Sequence, residues 1–418
     1  MSERLTANTA AREPAPRLVI AGLGLLTPLG HAAWPTFAAL LAGRTIADRA
    51  ARLTDDVDPV NLVRALGGVS IVQHSRADPA VELAERAARE ALFAAGVDAT
   101  GLPTYLGTSK GAVQALTRCA AGSGAEAHAH LEAVALGPHG YITRHLQQRL
   151  GITPRGHYVA ACASSLTALD RARRALLHPH AGAQRSEAAD DHALVITAEA
   201  ALLPQFVHSY RRLGVLAPLT PRDYRQRPLD ARRTGFMLTE AGAAVLLRRL
   251  PPGQSPQPGE IELLDTATAA EAHDLVRAAP DMSALRHIAA QLFAHHPLDM
   301  IHPHAPGTPD HDPVELAIYH DLLHNARPER SEGRDHTLAP DLYANKGALG
   351  HSLGAAGLVS LILACLTLQA GQRPPMLWID APLPGVRPEA QPCNRTGTHA
   401  VFAAGFAGHV AGALIRRH

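Results

Sequence analysis

One cysteine and two distant histidines carry the chemistry this sequence could perform. Cys162 sits in "YVAACASSLTALDRARRALL" (158–177). His157 to Ala161 reads as a short strand, while Leu166, Leu169, Ala172, Leu176 and Leu177 share a helical face, so the cysteine falls at a strand-to-helix junction. There the unpaired N–H groups of the helix start and its macrodipole favour a thiolate, which would bring a free thiol's pKa of about 8.5 down by one or more units. A small buried cysteine is equally an ordinary core residue, and the local pattern leaves packing and nucleophile both open. The run "IHPHAPGTPDHDPVE" (301–315) places His304 at the end of a predicted strand, and "NKGALGHSLGAAG" (345–357) places His351 just before a glycine/alanine-rich helix. Alone, each histidine could be structural. Together, a thiol and two imidazoles at element ends match acyl transfer coupled to carbanion chemistry. The thiol would hold an acyl group as a thioester, and two N–H donors would stabilise an enolate formed by loss of carbon dioxide.

These residues need elements to hold them. "LVIAGLGLLTPLG" (18–30) reads as a buried strand breaking into a turn, followed by a helix-like "AAWPTFAALLAG"; "DPAVELAERAAREALFAAGV" (78–97) has apolar residues at helical spacing. "TYLGTSKGA" (104–112) reads as a strand ending in a turn, and "YITRHLQQRLG" as a further helix. The segment "LPPGQSPQPGE" (250–260), with four prolines among eleven residues, divides the chain. Beyond it the alternation resumes, with "IELLDTATA" as strand, "MSALRHIAAQLF" as helix, "LDMIHPHAPG" as strand into loop, "GAAGLVSLILACLTLQAG" as helix and "HAVFAAGFAGHVAGALIRR" as a terminal pair of strands. Such alternation predicts an α/β fold with mostly parallel pairing, and the similar order in both parts hints at a duplicated unit. The expected organisation is a flexible tail over 1–16, one half over 17–250 with the cysteine, and a second over 259–418 with both histidines.

Composition narrows the partners. The chain has 418 residues, 46% of them hydrophobic, which is ample for a core. Its 39 basic residues nearly cancel its 38 acidic ones, so no overall field favours nucleic acid or an acidic membrane surface. Four scattered cysteines without a CxxC fit free thiols in a reducing cytoplasm. The polar start "MSERLTANTAAREPAP" has no signal-peptide core, and no run of about 18 uninterrupted apolar residues follows, so a soluble, unprocessed cytoplasmic protein is expected. The 25 histidines include runs such as "HPHAGAQ" and "AHAHLEA" that lack partner ligands, so no metal site is expected there.

Six ordered motifs, "VIAGLGLLTPLG", "ACASS", "RPLDARRTGFMLTEAGAAVLL", "HAPGTPDHDPVE", "NKGALGHSLGAAG" and "AGFAGH", resemble those of the β-ketoacyl-[acyl-carrier-protein] synthases, the decarboxylating Cys-His-His condensing enzymes of fatty acid and polyketide synthesis. The resemblance implies the thiolase fold, a duplicated five-layer αβαβα sandwich that dimerises, as a homodimer or with a related ketosynthase subunit. It implies that Cys162 accepts the acyl group and that His304 and His351 drive decarboxylation and stabilise the enolate. It implies a buried Lys346 paired with Glu315, and with Asp312, holding the histidine loops. Thr308 is similar in position to a threonine that hydrogen-bonds the phosphopantetheine arm, and the oxyanion hole would be the backbone N–H groups of Cys162 and Ala404. Phe406 falls among the substrate-contacting residues. No metal or bound cofactor is implied, since the substrates ride on the phosphopantetheine of an acyl carrier protein.

Several positions depart from the family pattern. Where "HGTxTP" is usual the chain has "HAPGTP", so Pro306 replaces a threonine and loses its hydroxyl and N–H. "GFGGxN" becomes "GFAGHV" (405–410), and Ala404 stands where many members carry a gating phenylalanine, whose loss should open the acyl channel. Ser360 stands where many have glutamate. These departures point to a specialised synthase of secondary metabolism. Two other readings are a coenzyme A thiolase, whose second cysteine is missing from "AGFAGH" with Cys393 well before it, and a non-catalytic chain-length-determining partner subunit, which typically lacks the cysteine retained here.

Overall fold

The computed structural model describes residues 15–52, 58–70, 77–122, 125–178, 191–218, 223–325 and 340–418. Nearly all of the expected 1–16 tail and most of "HPHAGAQ" lie outside the described residues. The strands are β1 (Arg17–Leu26), β2 (Pro103–Gly107), β3 (Thr153–Tyr158), β4 (His192–Glu199), β5 (Ala241–Leu250), β6 (Ile261–Ala270), β7 (Met300–His302), β8 (Asp341–Leu342), β9 (Gln372–Arg373), β10 (Gln391–Pro392), β11 (Thr398–Ala404) and β12 (His409–Arg417). Ten form one continuous sheet in the order β3-β2-β4-β5-β1-β6-β12-β11-β7-β8, while β9 and β10 pair separately.

That order is a palindrome. Outward from its centre, one side runs β1, β5, β4, β2, β3 and the other β6, β12, β11, β7, β8. Pairing directions repeat as well: on each side two antiparallel contacts come first and two parallel ones follow. The halves join where β1 meets β6, over Val19↔Glu262 and Ile20↔Ile261 alone. The duplication that element order only hinted at is therefore explicit in the topology. The expectation of mostly parallel pairing does not hold, because antiparallel β5 and β12 line the centre; β11 and β12 are joined by a tight turn, which forces a hairpin.

Helices complete five layers. Pro79–Ala95 covers β1, β4 and β5 from outside; Ser164–Leu177 and Ala356–Ala370 lie between the two half-sheets; Ser283–Phe293, with His311–Asn325 against it, covers β6 and β12. The result is the duplicated αβαβα sandwich implied by the family resemblance. Ala356–Ala370 is buried on every side through Leu368, as its unbroken apolar pattern requires of a helix between two sheets. With the 3₁₀ turn before it, Leu353–Ala370 is long and apolar enough to cross a membrane, yet nearly all of it is buried inside the protein.

Small residues set how closely these layers approach. Asp78 caps the outer helix, accepting from the Ala80 N–H at 2.8 Å with proline next in the chain, and Gly96 ends it at φ 65°. Its alanine face lies on Gly22 and Gly24 of β1, where a Cβ would fall 2.0 Å from the Ala91 oxygen and 1.9 Å from the Ala87 oxygen. Gly24→Ala should therefore push helix and strand apart and cost about 1–3 kcal/mol, as overpacked sites do. Thermal unfolding checks this, and an unchanged midpoint would contradict the packing.

Candidate active site

The predicted strand through Ala161 stops earlier, at Tyr158, and the helix begins at Ser164, leaving Val159–Ala163 to make a sharp elbow. Ala161 takes φ 47°, a left-handed conformation that costs a residue with a Cβ and persists only where neighbours enforce it. Ser164 is one enforcer: its hydroxyl accepts from the Ala160 N–H at 2.9 Å and donates to the Ala161 carbonyl at 2.6 Å. Gly405 is the other, since a Cβ there would lie 2.8 Å from both the Ala161 Cβ and the Cys162 nitrogen. Cys162 is buried at the apex. The next residue but two, Ser165, accepts from the Leu358 N–H at 3.0 Å, tying the cysteine helix to the helix that follows His351.

His304 lies two residues beyond β7, on a loop held by carboxylates. Both oxygens of Glu315 accept from consecutive amides, His304 and Ala305, each at 2.7 Å, and Tyr319 donates its hydroxyl to the same carboxylate at 2.7 Å. Ala305 adopts φ 33° and Gly307 φ 87° to make this turn. Asp312 accepts from Gly307 N–H at 3.0 Å and from Leu229 N–H at 2.9 Å. Lys346 is buried, as expected, but among the described residues it makes no direct ion pair with Glu315 or Asp312. Its Nζ donates instead to the His304 carbonyl, so cation and anion meet through one stretch of backbone. The physical reason is that both carboxylates are already engaged by backbone N–H groups.

His351 is fixed by its own backbone: its N–H donates to the Met237 carbonyl at 2.7 Å and its carbonyl accepts from Thr239 at 3.1 Å. The Leu353 N–H donates to His351 Nδ1 at 3.1 Å, which makes Nδ1 an acceptor and places the proton of the neutral ring on Nε2. The His304 and His351 rings stand 5.3 Å apart, and Phe236 packs edge-on against His351 at 4.8 Å. His311, its Nε2 3.3 Å from Glu315, packs its ring 5.1 Å from that of His304.

Burial governs the charges. It drives the pKa of both His304 and His351 well below the ordinary histidine value, and the Lys346 charge pushes further the same way, so both rings are neutral. Burial also pulls Lys346 down to about 8 against the opposing field of Glu315, and raises Asp312 to about 6. Burial works against a charge on Glu315 too, yet His311 and the Ala305 N–H hold its pKa below the usual value. The Cys162 thiol is pushed up to about 12 by burial, with Lys346 and Lys110 opposing and Glu199 reinforcing. The lowered thiol pKa expected from the helix start is therefore corrected: Cys162 precedes the first helical residue by two positions, and desolvation outweighs the helix end.

The remaining expected residues are scattered around this core. Pro306 is buried, whereas Thr308 is half-buried with its carbonyl accepting from Arg233 at 3.1 Å. Ser360 accepts from the Asn345 side chain at 2.7 Å. Ala404 ends β11 opposite Val410, and Phe406, two residues on, stacks on Tyr210 at 6.0 Å. Sequence reasoning missed Glu199, Tyr210, Phe236, Lys110 and His311. Of these, only Glu199 left a signal, an acidic residue closing the apolar run of β4. Among the described residues no three His, Cys, Asp or Glu side chains gather as a metal site.

The family profile described as "Beta-ketoacyl synthase, N-terminal domain" matches residues 15–252, and that described as "Beta-ketoacyl synthase, C-terminal domain" matches 262–380. "Tenellin synthetase" of Beauveria bassiana (strain ARSEF 2860) is 30% identical over 232 residues, which are 53% of this chain and 5% of that protein. The chain thus spans about a twentieth of that relative's length. "Putative polyketide beta-ketoacyl synthase 1" of Streptomyces halstedii is 26% identical over 405 residues, covering 88% of this chain and 89% of its own. Among solved structures, "AntDE:AntF (apo): type II PKS acyl-carrier protein in complex with its ketosynthase bound to the hexaketide" superposes with a TM-score of 0.75 at 17% identity, over 97% of this chain and all of that one. "Crystal structure of a Beta-ketoacyl synthase from Burkholderia phymatum STM815" gives 0.73 at 18% identity, over 96% of this chain and all of that one. At such identities the likeness carries the fold.

With the thiol pushed up to about 12, alkylation of Cys162 by iodoacetamide should be slow at pH 7 and rise about tenfold per pH unit without levelling by pH 9, because only the thiolate reacts. Peptide mass mapping of the modified residue reads the rate. A plateau below pH 9 would contradict the raised pKa.

Proposed function

The chain belongs to the β-ketoacyl synthase family, and from that premise we propose that it catalyses decarboxylative Claisen condensation of an acyl thioester with a malonyl thioester. In the first half-reaction Cys162 Sγ attacks the acyl carbonyl, the new S–C bond replaces the old one, and the departing thiol carries away the proton. Backbone N–H groups of Cys162 and Ala404 are the donors we assign to the oxyanion. In the second, the malonyl group loses carbon dioxide, and the enolate oxygen takes hydrogen bonds from His351 Nε2–H and His304. The carbanion then attacks the Cys162 thioester, the C–S bond breaks to release a chain two carbons longer, and the Cys162 thiolate left behind takes up a proton from water.

One observation carries this reading. Two neutral imidazoles from separate segments stand 5.3 Å apart, the charge of Lys346 acts on both of them and on the buried Cys162 thiol, and one has its tautomer set so that Nε2 can only donate. A neutral donor suits a developing oxyanion, since it gives a hydrogen bond without first surrendering a proton. Lys346 and Glu315 contribute by holding the loop of His304. The thiolase alternative is not supported: Cys393 donates to the Thr367 carbonyl at 3.3 Å, at the far end of the helix after His351. A non-catalytic partner subunit is not favoured either, since the cysteine and both histidines are present.

The substrates we propose ride on the phosphopantetheine of an acyl carrier protein, their thioesters supplying the activation, with Thr308 and Phe406 along the approach. A solved neighbour described as a complex of acyl-carrier protein and ketosynthase supports that partner. A dimer with a second copy or a related subunit is supported by the neighbour described as "The ishigamide ketosynthase/chain length factor" and by the exposed Val159 beside the outer strand β3. That none of the four cysteines is in a disulfide supports the reducing cytoplasm as its location.

Cys162→Ala should abolish product by removing the acyl acceptor. His304→Ala and His351→Ala should each stop release of carbon dioxide from the malonyl thioester, lowering it by about 100-fold or more, while acyl transfer to Cys162 persists. Intact-protein mass and carbon dioxide release separate the two half-reactions. Normal elongation by either histidine variant would remove that residue from the mechanism.

A further inference from the structure

The wall beside Cys162 is aromatic, and it holds an unpaired cation. Tyr210 stacks on Phe406 at 6.0 Å and meets Phe236 edge-on at 6.1 Å, and Phe236 in turn packs on His351. Over this wall stands Lys110, its Nζ 5.9 Å from the Tyr210 ring centroid and 5.6 Å from that of Phe206. Lys110 is only half-buried, and among the described residues it has no hydrogen-bond or ion-pair partner. Its place is fixed by the next residue, Gly111, at φ 68°, where a Cβ would lie 2.8 Å from the backbone of Pro138. A second polar group waits nearby. Glu199 is fully buried; Oε1 accepts from Thr108 Oγ1 at 2.9 Å and from the Ser109 N–H, whereas Oε2 has no partner.

A saturated alkyl chain laid against this wall would desolvate Lys110 without giving it a partner, which is unfavourable. A chain carrying oxygen would meet the ammonium instead. The histidine pair already accounts for the enolate, so Lys110 is left without a task in the condensation itself. Resting on the function proposed above, we propose that the acyl group received by Cys162 bears a keto or carboxylate oxygen near its thioester, and that Lys110 selects it by a charge-assisted hydrogen bond. Lys110 is a specificity-determining residue of the acyl half-site. Both Cys162 and Tyr210 sense charges from this corner: Lys110 and Glu199 act on the thiol, and the thiol and Glu199 act on Tyr210.

The test uses the full chain and three four-carbon N-acetylcysteamine thioesters: butyryl, acetoacetyl and succinyl. Initial rates of acyl transfer to Cys162 are read by peptide mass mapping. Acetoacetyl, succinyl or both should acylate about tenfold faster than butyryl, the factor for one charge-assisted hydrogen bond. Lys110→Met should bring the rates within about twofold, and Lys110→Arg should retain the preference. Whichever thioester wins identifies the oxygen as keto or carboxylate. Equal rates in the unaltered protein, or a preference that survives Lys110→Met, would overturn the role of Lys110 and leave the condensation intact. Failure of all three thioesters, together with acyl-carrier-protein thioesters, to acylate Cys162 would overturn the proposed function and this inference with it.

Discussion

The placing of His304 depends on how Glu315 spends its two oxygens. A buried carboxylate costs several kcal/mol unless its lone pairs are met, and this one accepts from two consecutive amides and a tyrosine hydroxyl. Two adjacent N–H groups can converge on one carboxylate only if the backbone between them turns sharply, which Ala305 does at φ 33°. The turn directs the His304 carbonyl toward Lys346, which donates to it. A cation and an anion are thus both kept in the interior without touching, and the residue between them is the histidine they position. A direct Lys346–Glu315 contact would have stripped the loop of the acceptor that shapes it.

Close approach of backbones is the second constraint. A Cβ at Gly347 would fall 2.0 Å from the Trp378 ring, one at Gly350 2.0 Å from Thr239, and one at Gly357 2.6 Å from Leu166. Glycines therefore mark the places where the segment carrying His351 is pressed against its neighbours. Pressed there, His351 takes hydrogen bonds to its backbone from the Phe236–Thr239 segment, and Leu358 reaches Ser165 on the cysteine helix. The helix that follows Cys162 touches both half-sheets, so the site sits at the layer shared by the two copies of the fold.

Much of this was legible in the amino-acid order, and the exceptions are instructive. Period-3.6 and buried-run patterns located the helix Pro79–Ala95, the terminal hairpin and the helix Ala356–Ala370, because each is long and set by local burial. The motifs around Cys162, His304 and His351 were legible because sharp turns demand small residues at set positions. Strand direction was not, since β5 and β12 take their orientation from connections that periodicity does not encode. Nor were Tyr210, Phe236 and Lys110: a basic or aromatic residue on a loop, or a single tyrosine on the short helix Pro204–Arg212, has no spacing signature, and these groups meet only when distant segments pack.

The thiol exposes the balance between burial and reactivity. A helix can stabilise a thiolate only over its first turn, and Cys162 stands before that turn in surroundings that penalise charge. Lys346 and Lys110 pull its pKa down while Glu199 pushes it up, and none of these outweighs desolvation. A thiol that stays protonated in the resting protein is a poor target for stray electrophiles. Its proton then needs somewhere to go when a substrate arrives, and the thiolate displaced from the incoming thioester is that acceptor, since one sulfur takes the acyl group as the other takes the proton. Acylation of this kind builds no net charge in the buried site. Neutral His304 and His351 fit the same economy of charge, meeting the enolate with hydrogen bonds and leaving the interior no more charged at the end than at the start.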